Sequence, residues 1–164
     1  MKKVFSIPGL GMRNIKTAIS VFLCVLILNI LLKQNSFYAA IAAVSCLQNT
    51  VGDTLKTGID RTIGTVWGGV IGLLALTVFH GNEPHDISQA VLTGIGISSV
   101  IYGCNHIIKR PGSCTISCIV FLGILTNMNG RDPYFWAVNR IFTTILGIVI
   151  ALTVNSFFPY EKNN

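Results

Sequence analysis

The sequence predicts an all-α membrane protein with six transmembrane helices, built as two three-helix repeats that lie inverted relative to each other. Three observations predict it. Charge is too sparse to cover a water-facing surface, six apolar runs are joined by short polar segments, and a stretch near the middle recurs near the end. Of 164 residues, 51% are hydrophobic and 11% charged, against about a quarter charged in an ordinary soluble domain. Mean hydropathy is +0.65. A surface that faces lipid requires no charged cover, so the chain reads as an integral membrane protein. The lack of sharp alternation over ten-residue segments argues against a membrane β-barrel.

A spanning helix takes roughly 20 apolar residues. That ruler places long helices near 14–32, 62–80, 88–108 and 137–158, with shorter runs near 36–50 and 113–128. The short runs span if the bilayer thins around them, or if neighbouring polar residues extend them. Residues 1–13 then form a cytoplasmic segment, 14–80 and 88–158 the two membrane repeats, and 159–164 a cytoplasmic tail. The basic opening "MKKVFSIPGLGMRNIK" precedes a run long enough to span, and no small-residue cleavage site follows it, so the first helix is expected to remain. With the N-terminus inside, Lys2, Lys3, Arg13, Lys16, Lys56, Arg61, Lys109, Arg110 and Lys162 fall on the cytoplasmic side. Only Lys33, Arg131 and Arg140 fall outside. This asymmetry puts both termini in the cytoplasm of a cell whose inner membrane holds the chain. The net charge of +6 is therefore a topology signal. The basic residues form no stripe, so nucleic acid is not an expected partner.

The repeat emerges when "GIDRTIGTVWGGVIGLL" is laid on "AVNRIFTTILGIVIALT". Arg61 then meets Arg140, Thr65 meets Thr144 and Gly68 meets Gly147, while Asp60 faces Asn139 and Gly72 faces Ala151. "KQNSFYAAIAAV" and "KRPGSCTISCIV" follow the first and fourth helices in matching places. Three spans per unit is an odd number, so the second unit starts on the opposite side and is inverted. Inverted repeats are a common transporter plan, with substrate held where short or broken segments of the two halves meet. The polar ends of the second and fifth runs, with Gln48, Asn49 and Asn127, are candidate contacts on that ground.

Gly64, Gly68 and Gly72 line one helix face, and Gly147 and Ala151 lie on the corresponding face of the last helix. Small residues at this spacing permit close backbone approach between helices in lipid, so these five are read as a packing seam. Arg61 and Arg140 are read at the N-terminal mouths of their helices. There a guanidinium opposes the helix dipole but strengthens an anion site through bidentate bonds, and both are candidate contacts for an anionic substrate. Asp53, Lys56 and Asp60 share a helical face; the two acids are candidate proton-coupling groups. No carboxylate sits mid-span, which argues against a longer proton relay. Cys24, Cys46, Cys104, Cys114 and Cys118 fall in or beside apolar runs without CxxC spacing and read as small buried thiols. His80, His85 and His106 read as interfacial, and no metal site or cofactor is expected. Trp67, Phe79, Tyr134, Phe135, Trp136 and Tyr160 fit interface belts or packing.

With "GMRNIKTAISVFL", then "FYAAIAAVSCLQNT", then "GIDRTIGTVWGGVIG" in this order, the chain resembles the aromatic acid exporter family, within the wider fusaric-acid-resistance-type membrane proteins. The resemblance is closest over residues 11–80 and looser over 88–158. By position it marks Arg13, Lys16, Gln48, Arg61, Gly64, Thr65 and Gly68. It implies a cytoplasmic-membrane permease that exports aromatic carboxylates or similar organic anions, driven by the proton gradient. Many relatives carry a soluble domain after the helices, and larger ones hold two six-helix sets. A six-helix chain is therefore expected to pair with itself. The rival reading is a non-transporting membrane scaffold or partner subunit. A membrane enzyme is not expected, because no nucleophile–base set or metal cluster converges in the sequence.

Overall fold

Helices make up every regular element in the computed structural model, which describes residues 12–31, 33, 35–79, 86–126 and 132–157. Helix α1 is Met12–Leu26 and runs on as a π-helical turn, Ile27–Leu31. Helix α2 is Phe37–Cys46, α3 is Val51–Phe79, and α4 is Asp86–Tyr102 with its own π-helical turn, Gly103–Ile107. A 3-10 turn, Pro111–Ser113, leads into α5, Cys114–Thr126, and α6 is Pro133–Phe157. Four stretches are long and apolar enough to cross a membrane: Arg13–Ile30, Val51–Thr77, Ala90–Ile107 and Tyr134–Phe157. Phe37–Cys46 and Pro111–Thr126 are shorter apolar helices. At a rise of 1.5 Å per residue, α2 is about 15 Å long, half the hydrocarbon thickness.

Two helices begin well before the apolar ruler places them, and the residues at their starts explain both. Thr50 precedes α3, and its Oγ1 accepts the Asp53 backbone N–H at 3.0 Å and donates to the Asp53 carboxylate at 2.7 Å. This T-x-x-D arrangement satisfies an amide that the first turn leaves without a helical partner. Helix α3 thereby starts eleven residues ahead of 62, the start expected from hydropathy. At α6, the Asp132 carbonyl accepts from the Trp136 amide at 3.1 Å. Pro133 occupies the first helical position, where its missing N–H and fixed φ cost nothing.

One succession of elements occurs twice. An apolar helix ends in a π-helical turn, a lysine follows at positive φ (Lys33 at 48° and Lys109 at 57°), then a short helix, then a long one. Left-handed backbone is uncommon for a lysine and is here the residue that turns the chain after a helix end. The glycines of the long helices make matching contacts. A Cβ on Gly68 would collide with the Ser117 carbonyl oxygen of α5, and a Cβ on Gly147 would collide with the Ala39 carbonyl oxygen of α2. Gly68 and Gly147 are aligned in the repeat, and each thus rests on the backbone of a short helix that follows a left-handed lysine.

The contacts form two compact units, Met1–Gly58 with Thr143–Asn164, and Ile59–Phe142. In the first, α1 turns a single stripe inward: Lys16, Ser20, Cys24 and Leu28, each one helical turn from the next and all buried. Cys24 and Leu28 join Ala39, Ala43, Leu47, Ile150, Ala151 and Val154 in its core. In the second, the core is Leu76, Val100, Val120, Phe121, Ile124, Leu125 and Ala137. There Gly64 faces the Ser113 carbonyl oxygen, which a Cβ would approach to 2.6 Å, and Gly72 faces the Ile124 side chain. The Ser117 hydroxyl lies 2.9 Å from the Gly64 carbonyl oxygen, to which it donates. Exposed hydroxyls such as Ser98, Ser99 and Thr153 donate to the carbonyl four residues back, which meets their hydrogen-bonding need without water.

Gly68→Ala and Gly147→Ala are expected to lower stability by about 1–3 kcal/mol each, because the obstacle is backbone that cannot turn aside. Gly69, next in sequence, has nothing within 4 Å of its Cβ position, so Gly69→Ala is expected to be neutral or to stabilise by up to about 1 kcal/mol through helix propensity. Thermal unfolding of the three variants in detergent checks this.

Candidate functional site

Neither candidate arginine lies at a helix mouth. Helix α3 starts at Val51 and α6 at Pro133, so Arg61 stands ten residues into its helix and Arg140 seven into its own. Both fall inside apolar spans and both are buried, at 6% and 7% exposure. The dipole argument made for them from sequence therefore does not apply, since that field fades within the first turn. A guanidinium inside a span carries a larger desolvation cost, and such residues mark substrate or ion paths in membrane proteins. Both belong to the second unit. The Arg140 guanidinium lies 5.5 Å from the centroid of the Trp136 ring, within cation–π range. That indole is given its room by Gly123, where a Cβ would come within 2.7 Å of the ring.

Asp60 is tied to the same unit from outside. Its Oδ1 accepts from Arg110 Nη1 at 2.6 Å, with the two side chains 18% and 43% exposed. At that exposure the pair is worth about 1 kcal/mol or less. Its consequence is positional: it holds the segment between α4 and α5 against α3. Asp53 is exposed and committed to the α3 cap. His106 is exposed and stacks on Tyr102 with ring centroids 4.4 Å apart. Cys114 Sγ donates to Asn105 Oδ1 at 3.5 Å, and Cys104 Sγ lies 3.2 Å from Ser117 Oγ. Among the described residues no three His, Cys, Asp or Glu side chains come together as metal ligands.

The first unit holds a polar centre that sequence reasoning missed, although the family resemblance marks two of its members, Lys16 and Gln48. Lys16, 3% exposed, donates from Nζ to Asn155 Oδ1 at 3.1 Å. Asn155, 1% exposed, donates from Nδ2 to Thr54 Oγ1 at 2.9 Å and to the Gln48 carbonyl oxygen at 3.2 Å. Thr54 Oγ1 also accepts the Gln48 amide at 3.0 Å and donates to the Thr50 carbonyl at 2.9 Å. Gln48 thus contributes its backbone, at the point where the chain leaves α2 and before α3 begins. Asn49 beside it is exposed. Asn127, His80, His85 and Arg131 lie outside the described residues. The signal for Lys16 and Asn155 was a polar residue within an otherwise apolar helix. Their pairing across 139 positions has no local trace.

A family model described as aromatic acid exporter family member 1 matches residues 9–158. Among curated proteins, the chain is 29% identical over 157 residues to a UPF0421 protein of Bacillus cereus, covering 91% of this chain and 40% of that protein. A UPF0421 protein of Oceanobacillus iheyensis is 26% identical over 160 residues, covering 94% and 42%. One of Staphylococcus saprophyticus is 24% identical over 147 residues, covering 89% and 42%. The chain therefore spans about two fifths of the length of the curated relatives it matches. No solved structure shows significant similarity to it.

Thr54→Val keeps the shape at that position and removes the oxygen that receives both Asn155 Nδ2 and the Gln48 amide. Leaving buried donors without an acceptor costs about 1–3 kcal/mol, so a clear fall in melting temperature is expected. Thr153→Val, which removes an exposed intrahelical bond, is the comparison and is expected to change little.

Proposed function

This chain belongs to the aromatic acid exporter family, and from that premise we propose that it is a permease of the cytoplasmic membrane for small organic anions, aromatic carboxylates foremost. One observation carries the reading. Lys16, Arg61 and Arg140 are all buried, at 3%, 6% and 7% exposure, whereas none of Asp53, Asp60 and Asp132, the carboxylates whose burial is described, is buried. Taking an ion out of water costs several kcal/mol even after relaxation. Enclosed cations without an enclosed acid among these residues suit the handling of anions. The indole of Trp136 beside Arg140 offers an aromatic face next to a guanidinium, the chemistry an aromatic carboxylate presents in mirror image.

In this reading α1, α3, α4 and α6 span outright, and α2 and α5 span with the polar residues that flank them where the bilayer thins. Both termini are cytoplasmic, and the halves α1–α3 and α4–α6 are inverted repeats. The repeated π-turn, left-handed lysine, short helix and glycine-seamed long helix support it, as does the matched packing of Gly68 and Gly147. The short helices α2 and α5 stand at corresponding positions, where broken segments of inverted-repeat transporters meet substrate. Export is driven by the proton gradient, with Asp53 and Asp60 as its candidate coupling groups. A second copy of the chain supplies the other six-helix set.

Reconstituted vesicles loaded with benzoate or a substituted cinnamate are expected to lose it faster than empty-lipid controls, and faster again under an imposed pH gradient. Arg140→Ala is expected to reduce that rate at least about tenfold, the scale of one lost charge-assisted contact. No efflux across a panel of aromatic and aliphatic acids would move the chain to the scaffold reading. Topology has its own check: cysteines placed at 61 and 140 are expected to react with a membrane-impermeant thiol reagent from opposite sides of the bilayer, or more readily from opposite sides where both are slow. Reaction from one side refutes the inversion.

A further inference from the structure

Lys16 sits one turn into α1, where a lysine ordinarily extends its stem and holds its ammonium in the headgroup region. It does not do so here: at 3% exposure the whole side chain is enclosed, on the same inward stripe as Ser20, Cys24 and Leu28. An ammonium has three N–H donors. One is received by Asn155 Oδ1 at 3.1 Å, and among the described residues no other acceptor lies within hydrogen-bond distance of it. The acceptor it does have is fixed in place. Both Nδ2 hydrogens of Asn155 are engaged, by Thr54 Oγ1 and the Gln48 carbonyl, so the amide cannot rotate and Oδ1 stays directed at Lys16. Thr54 is fixed in turn by the Gln48 amide and the Thr50 carbonyl. The result is a rigid neutral cradle around a buried cation with two donors to spare and, among the described residues, no carboxylate in the same core.

We propose that the Lys16 ammonium, oriented by Asn155, is a binding site in the first unit for the carboxylate of a small organic anion. The proposal rests on the anion-permease reading and adds a second contact to it. A carboxylate accepts two N–H bonds from one ammonium and supplies the charge that the neutral cradle lacks. A lipid phosphate does not fit, because the ammonium is withdrawn from the lipid-facing side of α1. The occupant is therefore a free anion that enters the protein, and benzoate is the probe that matches the family's chemistry.

The test is benzoate binding by the full chain in a neutral detergent, read as the dependence of melting temperature on benzoate concentration, which yields an apparent affinity. Wild type is expected to be stabilised progressively. Lys16→Gln is expected to weaken the apparent affinity about tenfold or more, the value of a hydrogen bond to a charged group, with Lys16→Arg retaining most of it. Asn155→Ala leaves the cation but frees its orientation, and is expected to weaken affinity several-fold. A residue that serves packing alone would lower the melting temperature of the variants and leave its benzoate dependence as in wild type. Unchanged affinity in Lys16→Gln overturns the proposal, and so does unchanged affinity in Asn155→Ala, which decides the matter if the Lys16→Gln protein is not recovered folded. Wild-type protein that exports acids from vesicles and shows no benzoate dependence overturns the Lys16 site alone. Protein that neither exports nor responds overturns the permease reading with it.

Discussion

The fold depends on how closely two long helices approach two short ones. At Gly68 the backbone of α3 lies against the carbonyl of Ser117, and at Gly147 the backbone of α6 lies against the carbonyl of Ala39, each with no room for a methyl group. In lipid there is little hydrophobic drive to hold helices together, so association rests on dispersion between surfaces that touch and on the few polar bonds between them. Glycine supplies the first. The Ser117 hydroxyl, bonded to the Gly64 carbonyl, supplies an instance of the second. Larger residues at these points would hold the helices apart and let lipid chains between them.

That closeness governs the polar residues too. Arg61 and Thr65 lie on the α3 face that leads to Gly68, and Arg140 and Thr144 on the α6 face that leads to Gly147, and all four are buried. A side chain beside such a seam is enclosed by protein, so whatever partners its polar atoms find there come from the protein or from something it binds. Lys16 and Asn155 show what this requires: a threonine hydroxyl and the backbone of Gln48 and Thr50 are arranged behind one asparagine to hold one ammonium. Such groups are costly to bury and gain little as packing. Their concentration in a chain otherwise short of charge is what directs attention to ligand chemistry.

The helices and the glycine seam were legible in the sequence because both are local patterns: apolar runs of spanning length, and small residues one turn apart. The helix starts were legible as well, in Thr50-x-x-Asp53 and Asp132-Pro133, but a hydropathy ruler passes over them because such residues are polar or helix-breaking and lie outside the apolar run. Placing Arg61 and Arg140 at helix mouths followed from that omission. The start signals, weighed first, place both arginines inside their helices. The π-helical turns are a different matter. Nothing in "ILNIL" or "GCNHI" marks them, since an extra residue in a turn is set by what the helix packs against. The Lys16–Asn155 bond was illegible for a plainer reason: it joins the first helix to the last, and no local pattern encodes a partner so distant.

The two stretches matched in sequence pack alike at Gly68 and Gly147 but differ in their chemistry, and the difference is informative. When Gly68 is laid on Gly147, Asn155 falls on Leu76, and both are buried, at 1% and 4% exposure. One is the centre of a hydrogen-bonded cluster; the other belongs to an apolar core. Geometry imposes the same demand at both places, an enclosed side chain of moderate size, and leucine meets it without any desolvation cost. Lys16 has no polar counterpart either: when Lys33 is laid on Lys109 it falls on Leu92, a leucine on the outer surface. Steric constraint therefore gives no reason for an asparagine in the first unit, and the repeat gives none for an enclosed lysine beside it. The pair departs from the apolar solution at the matched position and takes a threonine hydroxyl and three backbone groups to hold, which the proposed anion contact would explain. In the first unit that lysine is enclosed with no carboxylate in the same core among the described residues, and the proposed carboxylate ligand answers to that.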